Sequence, residues 1–230
     1  MTGGAAGLSL ARQDGVATIF LDHPERANAL DPAEFHALAE LFTALAWEGG
    51  LRAIVLTGRG ERAFCAGLNL ANDAAIRQDL SSSGPTGLGA ALRAAARVGV
   101  PILGRINGAC VAGGMGLLGS CDYAIASTGA RFGLPEITHG IYPGVAMAGL
   151  WRRGAPGVVR RLADTGALID ADAALDAGLV EEICPPMELD DRIAAALSGR
   201  VRKSFQVRMQ LDPIGVDRRM AQAEARTRLQ

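Results

Sequence analysis

Two glycine-rich segments hold the chemistry most readily read from this sequence. Asn107-Gly-Ala-Cys-Val-Ala-Gly113-Gly114-Met-Gly116 reads as a turn feeding a helix start, where backbone N–H groups find no partner inside the helix. Ala63-Phe-Cys-Ala66-Gly67-Leu68-Asn69-Leu70, just after a strand-like run, reads as a second such place. Two amides converging on one carbonyl oxygen would form an oxyanion hole, suited to an enolate or a tetrahedral anion. The same glycines serve equally for turns and close packing, which is their commoner use. Gly114-Met-Gly116-Leu-Leu-Gly119 also matches the dinucleotide fingerprint GxGxxG. That fingerprint needs a helix of useful length and an acid about 20 residues on, ending the next strand. Here the next strand begins at Tyr123 and ends at Ser127–Thr128 without an acid, which argues against a dinucleotide site. Glu136, directly behind Pro135, sits where an ordinary first-turn acid is favoured by the helix dipole.

The elements that must position these segments alternate between strand and helix. Val16–Leu21, Ala53–Thr57, Pro101–Ile106 and Tyr123–Ala126 read as strands, the second apolar enough to be buried on both faces. Asp31 and Pro32 open a helix as cap and first residue, and Phe35, Leu38, Leu41, Phe42 and Leu45 carry it to about Trp47. Beyond Gly144 the pattern is mostly helical, roughly 145–153, 157–165, 170–177, 188–199 and 215–229. This alternation implies parallel pairing and an α/β fold. Ser81–Gly89 is the one break in composition and reads as a mobile loop.

Length and charge narrow the function classes. The 230 residues are 49% hydrophobic and 20% charged, as in a globular protein with a sizeable core. A net charge of −1 gives no field to gather nucleic acid or an anionic membrane, although residues 200–230 are locally basic. No apolar run approaches the roughly 18 residues of a bilayer span. The first 15 residues lack the features of a secretory leader. The cysteines at 65, 110, 121 and 184 are scattered, and no histidine stands at ligand spacing, so neither disulfides nor a metal are expected. The cytoplasm is the expected location.

At this point the ordered motifs become recognisable. They are His23-Pro-Glu-Arg26-Ala27-Asn28-Ala29-Leu30, Ala63–Leu70, Asn107-Gly108…Gly113-Gly114…Cys121-Asp122, Phe132-Gly-Leu-Pro135-Glu136, Gly140-Ile-Tyr-Pro143-Gly144 and Ala171-Asp172-Ala173-Ala174…Gly178-Leu179-Val180. Through them the chain resembles the crotonase (enoyl-CoA hydratase/isomerase) superfamily over nearly its whole length. The resemblance implies an α/β spiral of strand–strand–helix turns over residues 1–190. It also implies a short helical C-terminal trimerisation segment over 191–230, in a homotrimer or a hexamer built as a dimer of trimers. Relatives carry a further helical segment that helps cover the site and the trimer contact, so either a more open pocket or a greater dependence on neighbouring subunits is expected here.

The resemblance also assigns roles. The amides of Leu68 and Gly113 match the oxyanion-hole donors that hold the thioester carbonyl of an acyl-CoA. Arg26, Ala27, Ala29, Ala66 and Leu70 fall where the family lines its coenzyme A crevice. Coenzyme A would arrive as part of the substrate, with no permanently bound cofactor. Glu136 matches one of the two family carboxylates, while Gly116 stands where hydratases carry the other. Gly144 offers no aspartate at the position some dienoyl isomerases use, and Asn69 replaces the usual aspartate. One carboxylate suffices to move a proton between two carbons of an enoyl thioester, so double-bond isomerisation is the expected reaction. Hydration through Glu136 alone and a non-catalytic acyl-CoA binder are the alternatives. RNA binding, known among relatives, has only the basic tail behind it. His139, three residues after Glu136, could lie on the same helical face and replace the missing acid, although a pocket-wall role is commoner for it and for Tyr142. Arg152–Arg153 could meet CoA phosphates, with a solvated helix face as the simpler reading.

Overall fold

The computed structural model describes residues 7–150 and 153–199, together with Ala221 and Glu224. β1 (Leu8–Gln13) and β2 (Val16–Leu21) form an antiparallel hairpin. Its two-residue turn, Asp14-Gly15, has positive φ at both positions, the geometry that lets so short a loop follow the strand twist. The chain then enters α1 (Pro32–Ala46), where the Glu34 carboxylate reaches back to the Asp31 N–H at 2.7 Å.

From there the chain climbs in repeated turns of strand, strand and helix. β3 (Ala53–Gly58) leads to β4 (Ala63–Cys65), α2 (Asp73–Ser81) and α3 (Gly87–Ala96). β5 (Ile102–Ile106) leads to β6 (Ala109–Val111) and α4 (Gly113–Gly119). β7 (Tyr123–Ser127) leads to β8 (Arg131–Gly133), a 3₁₀ turn over Pro135–His139 and α5 (Gly144–Gly149). α6 (Pro156–Thr165), β9 (Leu168–Asp170), α7 (Ala171–Asp176), β10 (Glu182–Cys184) and α8 (Leu189–Ser198) complete the described chain. The first strand of each turn joins a six-stranded sheet of order β1-β2-β3-β5-β7-β10, parallel from β2 onward. The second strand joins a smaller sheet of order β4-β6-β8-β9. The expected α/β spiral is therefore the architecture observed.

Burial explains the layering. All six residues of β3 are buried because both faces of the main sheet are covered. Phe35, Phe42, Phe64 and Phe132 fill the side between sheets and helices. On the other face Leu189, Ile193 and Ala196 of α8 pack on Val55, Leu103 and Ile125. The boundary expected at residue 190 thus falls inside a helix that belongs to the core.

Several expectations change. The three-residue strands of the smaller sheet are too short to show a periodicity. Ser81–Gly89 is not one long loop, because α2 ends at Ser81 and α3 begins at Gly87. The helix expected at 145–153 is the shorter α5. Arg153 is neither solvated nor available to a phosphate. It is buried, paired with Glu181 at 2.7 Å, and donates to the carbonyls of Cys121 at 2.8 Å and Leu179 at 3.1 Å. Arg152 and most of the helix expected at 215–229 lie outside the described residues.

Candidate active site

An apolar cavity of about 250 Å³ opens between the two glycine-rich segments and the Glu136 turn. Ala66, Leu68, Leu70, Gly113, Glu136, His139 and Tyr142 all line it. Phe35, Leu88 and Val145 supply apolar wall, and Ile76 and Leu80 of α2 close one side. A larger groove of about 680 Å³ lies on the outer face of the main sheet. Its arginines 59 and 105 already have carboxylate partners in Asp22 and Asp190, and neither Glu136 nor the amides of Leu68 and Gly113 face it.

The Leu68 amide is directed by a strand-like contact and not, as expected, by a helix start. Leu30 and Leu68 form an isolated parallel bridge. In it the Leu30 N–H donates to Gly67 O at 2.8 Å, and the Asn69 N–H donates to Leu30 O at 2.9 Å. A parallel bridge uses the residues either side of Leu68, so its own N–H points the other way. Gly67 has a φ of +88°, and a Cβ there would stand 2.6 Å from the Gly113 nitrogen. Only glycine lets the two segments approach this closely.

Gly113 is the first residue of α4, so its N–H has no acceptor within the helix. Ala112 before it holds a φ of 52° and ψ of −125°, a conformation costly for any residue with a Cβ. Among the described residues neither the Leu68 nor the Gly113 N–H has an acceptor. Two free amides border one cavity.

Behind them two buried asparagines set the register. Asn28 Nδ2 donates to Ala63 O at 2.7 Å and Arg59 O at 3.0 Å, while its Oδ1 accepts from the His23 N–H. Asn107 Nδ2 donates to the same Ala63 O at 2.9 Å and to Gly60 O at 2.7 Å. Both fix the start of β4, hence the loop that carries Leu68. Sequence reading placed each inside a motif without giving its side chain a task, since neither is near the other in sequence.

Glu136 sits in the first turn of the 3₁₀ segment. Its Oε2 is buried with no hydrogen-bond partner. Burial pushes the carboxyl up to about 7, with only its own backbone N–H acting the other way. Side chains at i and i+3 eclipse in a 3₁₀ turn, which puts exposed His139 on the same side, nearer solvent. Tyr142 is half-buried at the same wall.

Gly116 does not reach the cavity. It lies buried one turn into α4, where a Cβ would stand 3.2 Å from Ala146 Cα on α5. Gly119 meets the Gly149 backbone in the same crossing. A side chain at 116 would need α5 to yield by a few tenths of an ångström.

Comparison with known proteins gives this arrangement its relatives. The enoyl-CoA hydratase/isomerase family matches residues 11–227. This chain belongs to that family.

Among its members, crotonyl-CoA hydratase of Syntrophomonas wolfei is 30% identical over 88% of this chain and 78% of its own length. Carnitinyl-CoA dehydratase of Proteus mirabilis is 34% identical over 80% of this chain and 70% of its own. The crystal structure of an enoyl-CoA hydratase from Mycobacterium smegmatis superposes with a TM-score of 0.78 at 27% identity, covering 96% of this chain and 90% of that one. Within this family member, the five residues expected at the coenzyme A crevice divide into two groups. Ala66 and Leu70 border the cavity. Arg26, Ala27 and Ala29 stand behind it: the Ala66 N–H donates to Ala27 O at 3.0 Å, and Arg26 pairs with Glu34 at 2.8 Å. No helix among the described residues is long and apolar enough to cross a membrane.

Proposed function

We propose that the chain is a one-base enoyl-CoA isomerase that shifts a double bond between the 3,4 and 2,3 positions of an acyl-CoA. The observation that carries this reading is Glu136, whose Oε2 is buried at the cavity with no hydrogen-bond partner, whereas Asp79, the other carboxylate lining it, is held by the Gly87 N–H at 3.0 Å and His36 Nε2 at 2.9 Å. Ionised Glu136 takes a proton from C2 of the 3-enoyl thioester. The C2–H electron pair forms a C1=C2 bond and the carbonyl π pair moves onto the thioester oxygen, giving a dienolate conjugated with C3=C4 and held by the N–H groups of Leu68 and Gly113. The same carboxyl then returns its proton at C4, leaving the 2-enoyl thioester. Each donor to the developing oxyanion is worth about 10²–10³ in rate.

Hydration is best served by a water held between two acid–base groups; Gly116 supplies none, so Glu136 alone would position water less well. A second reading, hydration through Glu136 alone, draws support from the hydratase and dehydratase among the relatives. Coenzyme A enters as part of the substrate, with Ala66 and Leu70 at the crevice and Arg26, Ala27 and Ala29 shaping it from behind. Assembly as a homotrimer, or as a dimer of trimers, is supported by exposed Ile137, Ile141 and Leu168 next to the Glu136 turn.

Steady-state assays of 3-enoyl-CoA isomerisation and 2-enoyl-CoA hydration test the reading. Glu136→Gln should lower isomerase turnover by about 10³-fold or more while acyl-CoA still binds. Hydration faster than isomerisation in the wild type would replace the first reading with the second. Binding of acyl-CoA without either turnover would leave a binder.

A further inference from the structure

We infer that Asn69 is a positioning residue, which fixes the Leu68 amide by tying its loop to Asp31. This rests on the reading of Leu68 as an oxyanion donor. Asn69 is the residue after Leu68, and it uses three groups at once. Its N–H donates to Leu30 O at 2.9 Å, its Nδ2 donates to Asp31 Oδ1 at 3.0 Å, and its Oδ1 accepts from the Ala71 N–H at 3.3 Å. The backbone bond sets which way the Leu68 peptide faces. The side-chain bond sets how far the loop lies from α1.

Asp31 is itself held. Its Oδ1 also accepts from Asn72 Nδ2 at 3.2 Å, its Oδ2 faces Arg26 Nη1 at 3.4 Å, and its N–H is bound by Glu34. Glu34 in turn accepts from Arg26 Nη2 at 2.8 Å and contacts His23 Nε2 at 2.7 Å. The loop therefore hangs from a fixed carboxylate by a donor. A carboxylate at position 69 would set two negative oxygens about 3 Å apart and push the loop away. Misplacement of a reacting-centre donor by about 1 Å costs as much as 10²-fold in rate. Asparagine here matches the acceptor opposite it.

The test uses Asn69→Asp and the exchanged pair Asp31→Asn with Asn69→Asp, in which donor and acceptor trade places. Two quantities are read: kcat and KM for isomerisation, and the near-ultraviolet band of the enolate formed when acetoacetyl-CoA binds. Asn69→Asp should lower kcat about 10- to 100-fold, change KM less than about 3-fold, and weaken the enolate band. The exchanged pair should recover both readouts to within about 3-fold. A merely structural role would not restore an enolate band by exchange.

Wild-type kcat and band in Asn69→Asp, or no recovery in the exchanged pair, overturns the inference. Should Asn69→Asp fail to fold, Asn69→Ala removes the donor without adding charge, and a wild-type band in that variant overturns it equally. An enolate band that depends on Asn69 in a chain without isomerase turnover would sink the isomerase reading and leave this inference standing. No band in the wild type would remove the Leu68 donor, and the inference with it.

Discussion

Glu136 differs from an ordinary glutamate in where it takes up its proton. An exposed carboxyl is ionised well below neutrality, but burial at an apolar cavity walled also by Phe35, Leu68 and Leu88 pushes this one up to about 7. Only the ionised form removes a proton, so kcat/KM for isomerisation should climb as pH rises to an inflection near 7 and level off above it. An inflection near 4.5 would mean that the free enzyme solvates the carboxylate. The residue's candidacy was legible because Pro135-Glu136 forms part of a motif that carries the family resemblance. Its elevated proton affinity was not, since that depends on walls contributed by residues distant in the chain.

At the scale of elements, the two amides are aimed by different devices. α4 begins at Gly113 because Ala112 turns the backbone into a region that glycine occupies at no steric cost. Ala112→Gly should relieve that strain, offset in part by glycine's greater unfolded freedom, for a net gain of about 1 kcal/mol measured by denaturant unfolding. A loss of stability would show that the Ala112 methyl packs more favourably than its backbone is strained.

This contrast also marks the boundary of what sequence reading reached. β2, β3, β5 and β7 were legible as apolar, β-branched runs, and Asp31-Pro32 announced α1. The second sheet was not, because three-residue strands such as β4 and β6 show no period. For the same reason Ala63–Leu70 looked like a helix start, when its free N–H comes from a bridge to Leu30, which lies far upstream. Asn28 and Asn107 meet at one carbonyl, a convergence that spacing along the chain does not reveal.

For the whole molecule, the surface around the site matters as much as its interior. Leu168 is 55% exposed and Ile137 38%. Gly166 packs against Ile137, so the patch adjoins the turn that bears Glu136. If copies associate there, light scattering should give a trimer or hexamer mass for the wild type and a smaller species for Leu168→Asp. An unchanged mass would place any association elsewhere.

The glycine crossing of α4 and α5 bears on how such a protein could change its reaction. Placing an acid at position 116 means inserting a charged side chain whose Cβ would stand 3.2 Å from Ala146 Cα. Gly116→Glu should therefore lose at least about 3 kcal/mol of stability and gain no hydratase activity. A stable variant that hydrates would show the crossing to be plastic. The chain runs from the Glu136 turn directly into α5, so re-spacing the helices would also re-aim the existing base. Number of acids and orientation of the base are thus a single inherited variable. One helix crossing therefore couples the room available at position 116 to the aim of Glu136.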